Sequence, residues 1–135
     1  MIEETKRLAV VLGPSLAAGP AANVAAIVAG GLRCAAFSEP IRDASGTPHS
    51  AVRWNVIVLK TKSSGQLRTL VEAAKVEPVE LVVFSRSGAS LSNSFPEYEA
   101  LVKAARTEDL EVTGVGLFGP DAVVRALTRS FSVYG

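Results

Sequence analysis

The residues Gly114-Val115-Gly116-Leu117-Phe118-Gly119 satisfy the Gly-x-Gly-x-x-Gly spacing by which dinucleotide-binding turns bring backbone N–H groups to a pyrophosphate. That chemistry also needs a further parallel strand after the following helix, and a carboxylate about 20 residues on for the ribose. Sixteen residues follow Gly119, and Asp121 is the one acid among them. The spacing is therefore read as a decoy and no cofactor is assigned. Here glycines let a strand end tightly, Pro120 starts a helix, and Asp121 favours the positive end of that helix.

Other reactive types are sparse. His49 is the only histidine and Cys34 the only cysteine, so no metal set can be assembled from them and no intrachain disulfide can form. Cys34 sits in the apolar run 32–37, where an inert buried thiol is expected. Glu39, Asp43 and His49 share one polar stretch without the spacing of a charge relay. The serines of SRSGASLSNS, residues 85–94, lack the surroundings of a nucleophile elbow, so Ser87 is read at most as a contact in a ligand loop.

The turn from Gly13 to Pro20 carries more. Strand-end-to-helix turns of α/β sheets are where ligands usually bind, and a helix start offers free N–H groups. Ser15 and Gly19 lie in this turn. Asn23 follows as almost the only polar side chain between Ala21 and Leu32, and Lys60 closes a later strand. Ser15, Gly19, Asn23, Lys60 and Ser87 are the candidate ligand contacts. An amide and a lysine suit a small anionic or carbonyl-bearing molecule.

The elements that position these residues follow from apolar periodicity. Runs at 8–12, 54–60, 81–85 and 110–118 read as four strands, the first of them buried. Helices are predicted from Pro20 to about residue 32 and from Gln66 to Val76, where Leu67, Leu70, Val71 and Ala74 recur at helical spacing. Two more follow: one after Pro96 carrying Tyr98, Leu101, Val102 and Ala105, and one after Pro120 carrying Val123, Ala126, Leu127 and Phe131. Residues 38–50 and 85–94 read as surface loops. The alternation predicts an α/β fold, a three-layer sandwich with a four-stranded mixed sheet and helices on both faces, as one domain over 1–135.

The chain has 48% hydrophobic and 20% charged residues, 14 Lys and Arg against 13 Asp and Glu, for a formal charge of +1. That composition excludes disorder, and the balance of charge speaks against nucleic acid as partner. Gly13, Pro14, Gly19 and Pro20 cut the N-terminal apolar stretch into pieces too short to span a membrane, and a lone cysteine suits the cytoplasm. The helix from Pro20 is apolar on more faces than one sheet can cover. It predicts a homodimer; were the chain a monomer, the cover would have to come from the C-terminal helix and Phe131.

RLAVVLGPSLAAGPAANVAAIVAG, WNVIVLKTKSSGQLRTLVEAAKVEPVELVVFSRSG and VTGVGLFGPDAVVRALTRSFSVY together resemble, in pattern, the strands, helices and ending of type II peptidyl-tRNA hydrolases. The Gly-x-Ala-Ala-Asn turn and the Leu-Phe-Gly-Pro ending are similar to a bacterial domain family of unknown function with that fold. The resemblance implies the hydrolase fold and a dimer. Those hydrolases carry lysines before the first helix and an acid after the third strand. The matching Ala17–Ala22 segment here holds no lysine, and 85–94 holds Arg86 but no carboxylate, whereas Lys60 does match a family lysine. The expectation is a non-hydrolase that binds a small ligand or protein partner near the first turn. The alternative is a divergent peptidyl-tRNA hydrolase or related esterase.

Overall fold

Leu8, Ala9, Val10, Val11 and Leu12 are each at most 1% exposed, because the strand they form is central and covered on both faces. The computed structural model describes residues 4–32, 36–91 and 93–135. The expectation for Cys34 lies outside the described residues, as does Ser92 of the 85–94 segment.

In chain order the elements are β1 (Lys6–Leu12), α1 (Ala18–Gly31), β2 (Phe37–Arg42), β3 (Pro48–Val52), β4 (Asn55–Lys60), α2 (Ser64–Ala74) and β5 (Glu80–Ser85). Then come α3 (Arg86–Ser90), α4 (Phe95–Ala104), a 3-10 turn (Thr107–Asp109), β6 (Val112–Pro120), α5 (Asp121–Leu127) and β7 (Ser132–Val133). One sheet runs β5-β6-β1-β4-β7. β1 is parallel to β4 and antiparallel to β6, and the two outer pairs are antiparallel, so the sheet is mixed.

Each face has its own core. Leu8, Val10 and Leu12 pack with Val24, Val28 and Leu32 under α1. Val11, Leu59, Val115 and Leu117 pack with Leu67, Leu70, Val71 and Ala74 of α2, and Leu127 and Phe131 complete that side. The α2 spacing therefore marks a true core face. At its start, Gln66 Oε1 accepts hydrogen bonds from the Lys62 N–H at 2.7 Å and the Ser63 N–H at 3.3 Å. These satisfy backbone donors that open the helix.

Four expectations are corrected. The main sheet has five strands, not four: the fifth, β7, is two residues long and pairs only with Leu59 and Lys60, too short to leave a periodic signal. Residues 38–50 are a hairpin, β2–β3, rather than a loop. Its breakers make the turn: Asp43 Oδ1 accepts from the N–H groups of Ser45 and Thr47, and Gly46 takes a φ of 87°. The register shift lies between Ser38 and Ile41, around Pro40. The 85–94 segment begins with the short helix α3. Finally, Leu127 of α5 and Phe131 pack in the core opposite α1, so they do not cover the outer face of that helix.

The Gly-x-Gly-x-x-Gly segment lies wholly within β6, which continues to Pro120. A Cβ at Gly114 would stand 2.5 Å from Val24 Cγ1, and one at Gly116 would stand 2.5 Å from Val28 Cγ1. The glycines let α1 press onto the strand rather than let a loop approach a phosphate. Among the described residues, no helix is long and apolar enough to cross a membrane.

Candidate functional site

Parallel pairing of β1 with β4 sets Leu12 opposite Lys60, so both strands end at the same edge of the sheet. The turn after Leu12 therefore stands beside Lys60. Gly13, Pro14, Ser15, Leu16, Lys60, Thr61, Tyr134 and Gly135 line a small hollow of about 290 Å³. Its groups are tied to the chain: Lys60 Nζ donates to the Gly135 carbonyl oxygen at 3.2 Å, and Thr61 Oγ1 donates to the Leu12 carbonyl at 3.0 Å. Ser15 has a φ of 65°, a left-handed conformation uncommon for a non-glycine residue.

Asn23 does not join them. The helical phase of α1 turns it to a larger cleft of about 740 Å³ on the other side of Leu16. That volume falls within the roughly 300–1,000 Å³ of drug-sized ligand sites. Pro20, Asn23, Val24 and Ile27 of α1 form one wall. Phe84, at the end of β5, and Thr113, in β6, also line the cleft. Arg86, Gly88 and Ala89 of α3, with Leu91, Phe95 and Tyr98, complete the lining. Phe84 lies against Gly88, where any Cβ would collide with the ring.

The candidate residues thus divide. Ser15 and Lys60 share the small hollow, and Asn23 lies in the large cleft. Gly19 is exposed on the first turn of α1. Ser87 is half-buried in α3 between two lining residues, and its carbonyl accepts from the Leu91 N–H at 3.0 Å. Asn23 is exposed, so it needs no partner within the protein. Sequence reasoning missed Phe84, Arg86 and Phe95. The available signal was the stripe of α4: Phe95, Tyr98 and Val102 share one helical face, yet α4 buries no residue. An apolar stripe at core spacing that meets no core faces something else.

Among the described residues lining the large cleft there is no His, Cys, Asp or Glu. Asp43 and His49 do meet, at 2.7 Å, but on the exposed hairpin turn. The His49 hydrogen bond, reinforced by the Thr47 amide, holds the Asp43 carboxyl below its usual range. The contact orders the turn.

The fold and cleft together define a mixed α/β protein with an apolar pocket beside the first strand–helix turn. No curated protein matches the sequence. Residues 6–135 match the family described as protein of unknown function (DUF2000), and the chain belongs to it. A solved structure of a protein of unknown function, Atu0240 from Agrobacterium tumefaciens strain C58, superposes with a TM-score of 0.80. It covers 96% of this chain and 98% of its own at 17% identity, a likeness of fold alone. Neither match assigns an activity.

Proposed function

We propose that this protein is a cytoplasmic, non-hydrolytic binding protein that takes a small, largely apolar molecule into the cleft beside α1. The observation that carries the reading is the wall itself. Ile27 is 48% exposed and Phe95 66% exposed, and both face the same 740 Å³ space. Burying such side chains against a ligand stabilises the complex by about 25 cal/mol per Å² of apolar surface removed from water.

The wall also supports the non-hydrolytic half. Its described residues offer an amide, a phenol, a hydroxyl and a guanidinium, but no carboxylate or imidazole to activate water. The Ala17–Ala22 turn lacks the lysines of type II peptidyl-tRNA hydrolases, and Lys60 points to the separate small hollow. We propose that the fold is related to that of those enzymes.

N-phenyl-1-naphthylamine, a neutral fluorescent probe, tests the reading. Saturable binding is expected, weakened about tenfold by Ile27→Asp. Fluorescence that never saturates, or that ignores this substitution, overturns it.

A second reading rests on α4. Phe95, Leu101 and Val102 are all exposed on a helix without a core face, and exposed apolar patches of this kind mark interfaces. We propose that the chain forms a homodimer through this face.

A further inference from the structure

We infer that the ligand of the large cleft is an anionic amphiphile, an apolar acyl or aryl body carrying a carboxylate, with Arg86 as the group that selects its charge. The inference rests on the reading of the cleft as a binding site and adds the chemistry of its occupant.

Among the described residues lining the cleft, Arg86 is the one side chain with a full charge at neutral pH. The rest of the lining is apolar apart from Asn23, Tyr98 and Thr113, and the Thr113 hydroxyl already donates to the Phe84 carbonyl at 3.3 Å. Glu97 and Glu99 lie on the same helix as Phe95 and Tyr98, yet neither lines the cleft. Glu111, outside the lining, stands 3.5 Å from the Arg86 side chain, but within the described lining a cationic head would meet only the like charge of Arg86. An anionic head would meet a planar guanidinium suited to a carboxylate.

Arg86 is also placed to serve. Its backbone N–H donates to the Glu111 carbonyl at 2.9 Å, which ties the start of α3 to the chain entering β6. Its side chain is 73% exposed and stands 3.5 Å from Glu111 Oε2. An exposed pair of that length contributes little and exchanges readily for another carboxylate. The Asn23 amide, on the opposite wall, can donate to the same head group. Between them the apolar floor, Val24 and Phe84, receives the body of the molecule.

Calorimetry on the intact chain with three probes of one chain length, decanoate, 1-decanol and decyltrimethylammonium, tests this. Decanoate is expected to bind about tenfold or more tightly than the cation, with the alcohol between them. Arg86→Gln should abolish that order while leaving the alcohol unchanged, and Arg86→Glu should reverse it. The preference should shrink as salt rises, since the guanidinium is exposed. Both are surface substitutions, so folding is not at stake. If all three probes bind alike and Arg86→Gln changes nothing, while Ile27→Asp still weakens them, the charge inference fails and the binding site stands. If none of the three binds, and Ile27→Asp alters only self-association, the cleft is a subunit contact and both readings fail.

Discussion

Gly116 of β6 lies directly beneath Val28 of α1: a Cβ on the glycine would stand 2.5 Å from Val28 Cγ1 and 3.1 Å from Leu32 Cδ1. Both helix residues are buried, and Gly116 pairs with Val10 in the most protected strand. The close approach of helix to sheet is thus set by a missing side chain.

Gly116→Ala is therefore expected to overpack this layer and destabilise the fold by about 1–3 kcal/mol. Urea denaturation measures it. Nicotinamide and flavin dinucleotides should show no saturable binding to either form, because the motif is strand. An alanine variant as stable as the parent would mean that α1 moves away without cost.

Asp121 receives Arg7 Nε at 2.8 Å and Arg125 Nε at 2.7 Å. The Arg7 side chain is 10% exposed, so Asp121→Asn leaves a nearly buried cation without its ionic partner. A loss of about 1.5–3 kcal/mol at neutral pH is expected. The hydrogen bond from Arg7 holds the Asp121 carboxyl below its usual range. Because the folded value is the lower one, its contribution is complete above the ordinary carboxylate range and is lost as pH falls through the lowered value. Acid titrations of parent and variant should differ at neutral pH, begin to approach each other near about pH 4 and converge only once the pH has fallen below the lowered value. A constant offset down to strong acid contradicts this.

Asp43 holds the hairpin turn through Ser45, Thr47 and His49, while β2–β3 forms a separate two-stranded sheet. Two strands alone are marginal in water. Asp43→Ala should speed hydrogen exchange at the Ser45 and Thr47 amides and leave the global unfolding midpoint almost unchanged. Cooperative loss of the whole fold would show that the hairpin belongs to the main core.

The assembly proposal makes a simple demand. Light scattering at micromolar concentration should find a dimer, and Val102→Asp, outside the cleft lining, should give monomers. A parent chain that is monomeric at that concentration removes the dimer and leaves the ligand as the cover for α1 and α4.

The activity proposal predicts that purified protein releases nothing from N-blocked aminoacyl-tRNA above background. Turnover that Lys60→Ala abolishes would restore the hydrolase alternative and move the site to the small hollow.

Local patterns carried much of the architecture. The apolar runs of β1, β4 and β5 announce strands, of which β1 is buried from Arg7 to Leu12 while β4 and β5 are only partly covered, and the Leu67, Leu70, Val71 and Ala74 spacing of α2 announces a core-facing helix. The tertiary structure alone decided the rest. Ser132 and Val133 become a strand only because the edge of β4 is open to them. The stripe of α4 has a helical period, but a period does not name what it faces, and here Phe95 and Tyr98 line a cleft while Val102 lies outside its lining. Ser15 shares a hollow with Lys60 through the register of a parallel pair 48 positions apart, Leu12 with Lys60, while the phase of α1 carries Asn23 to the cleft beyond. Such juxtapositions depend on long-range pairing and helix rotation, which no stretch of sequence contains by itself.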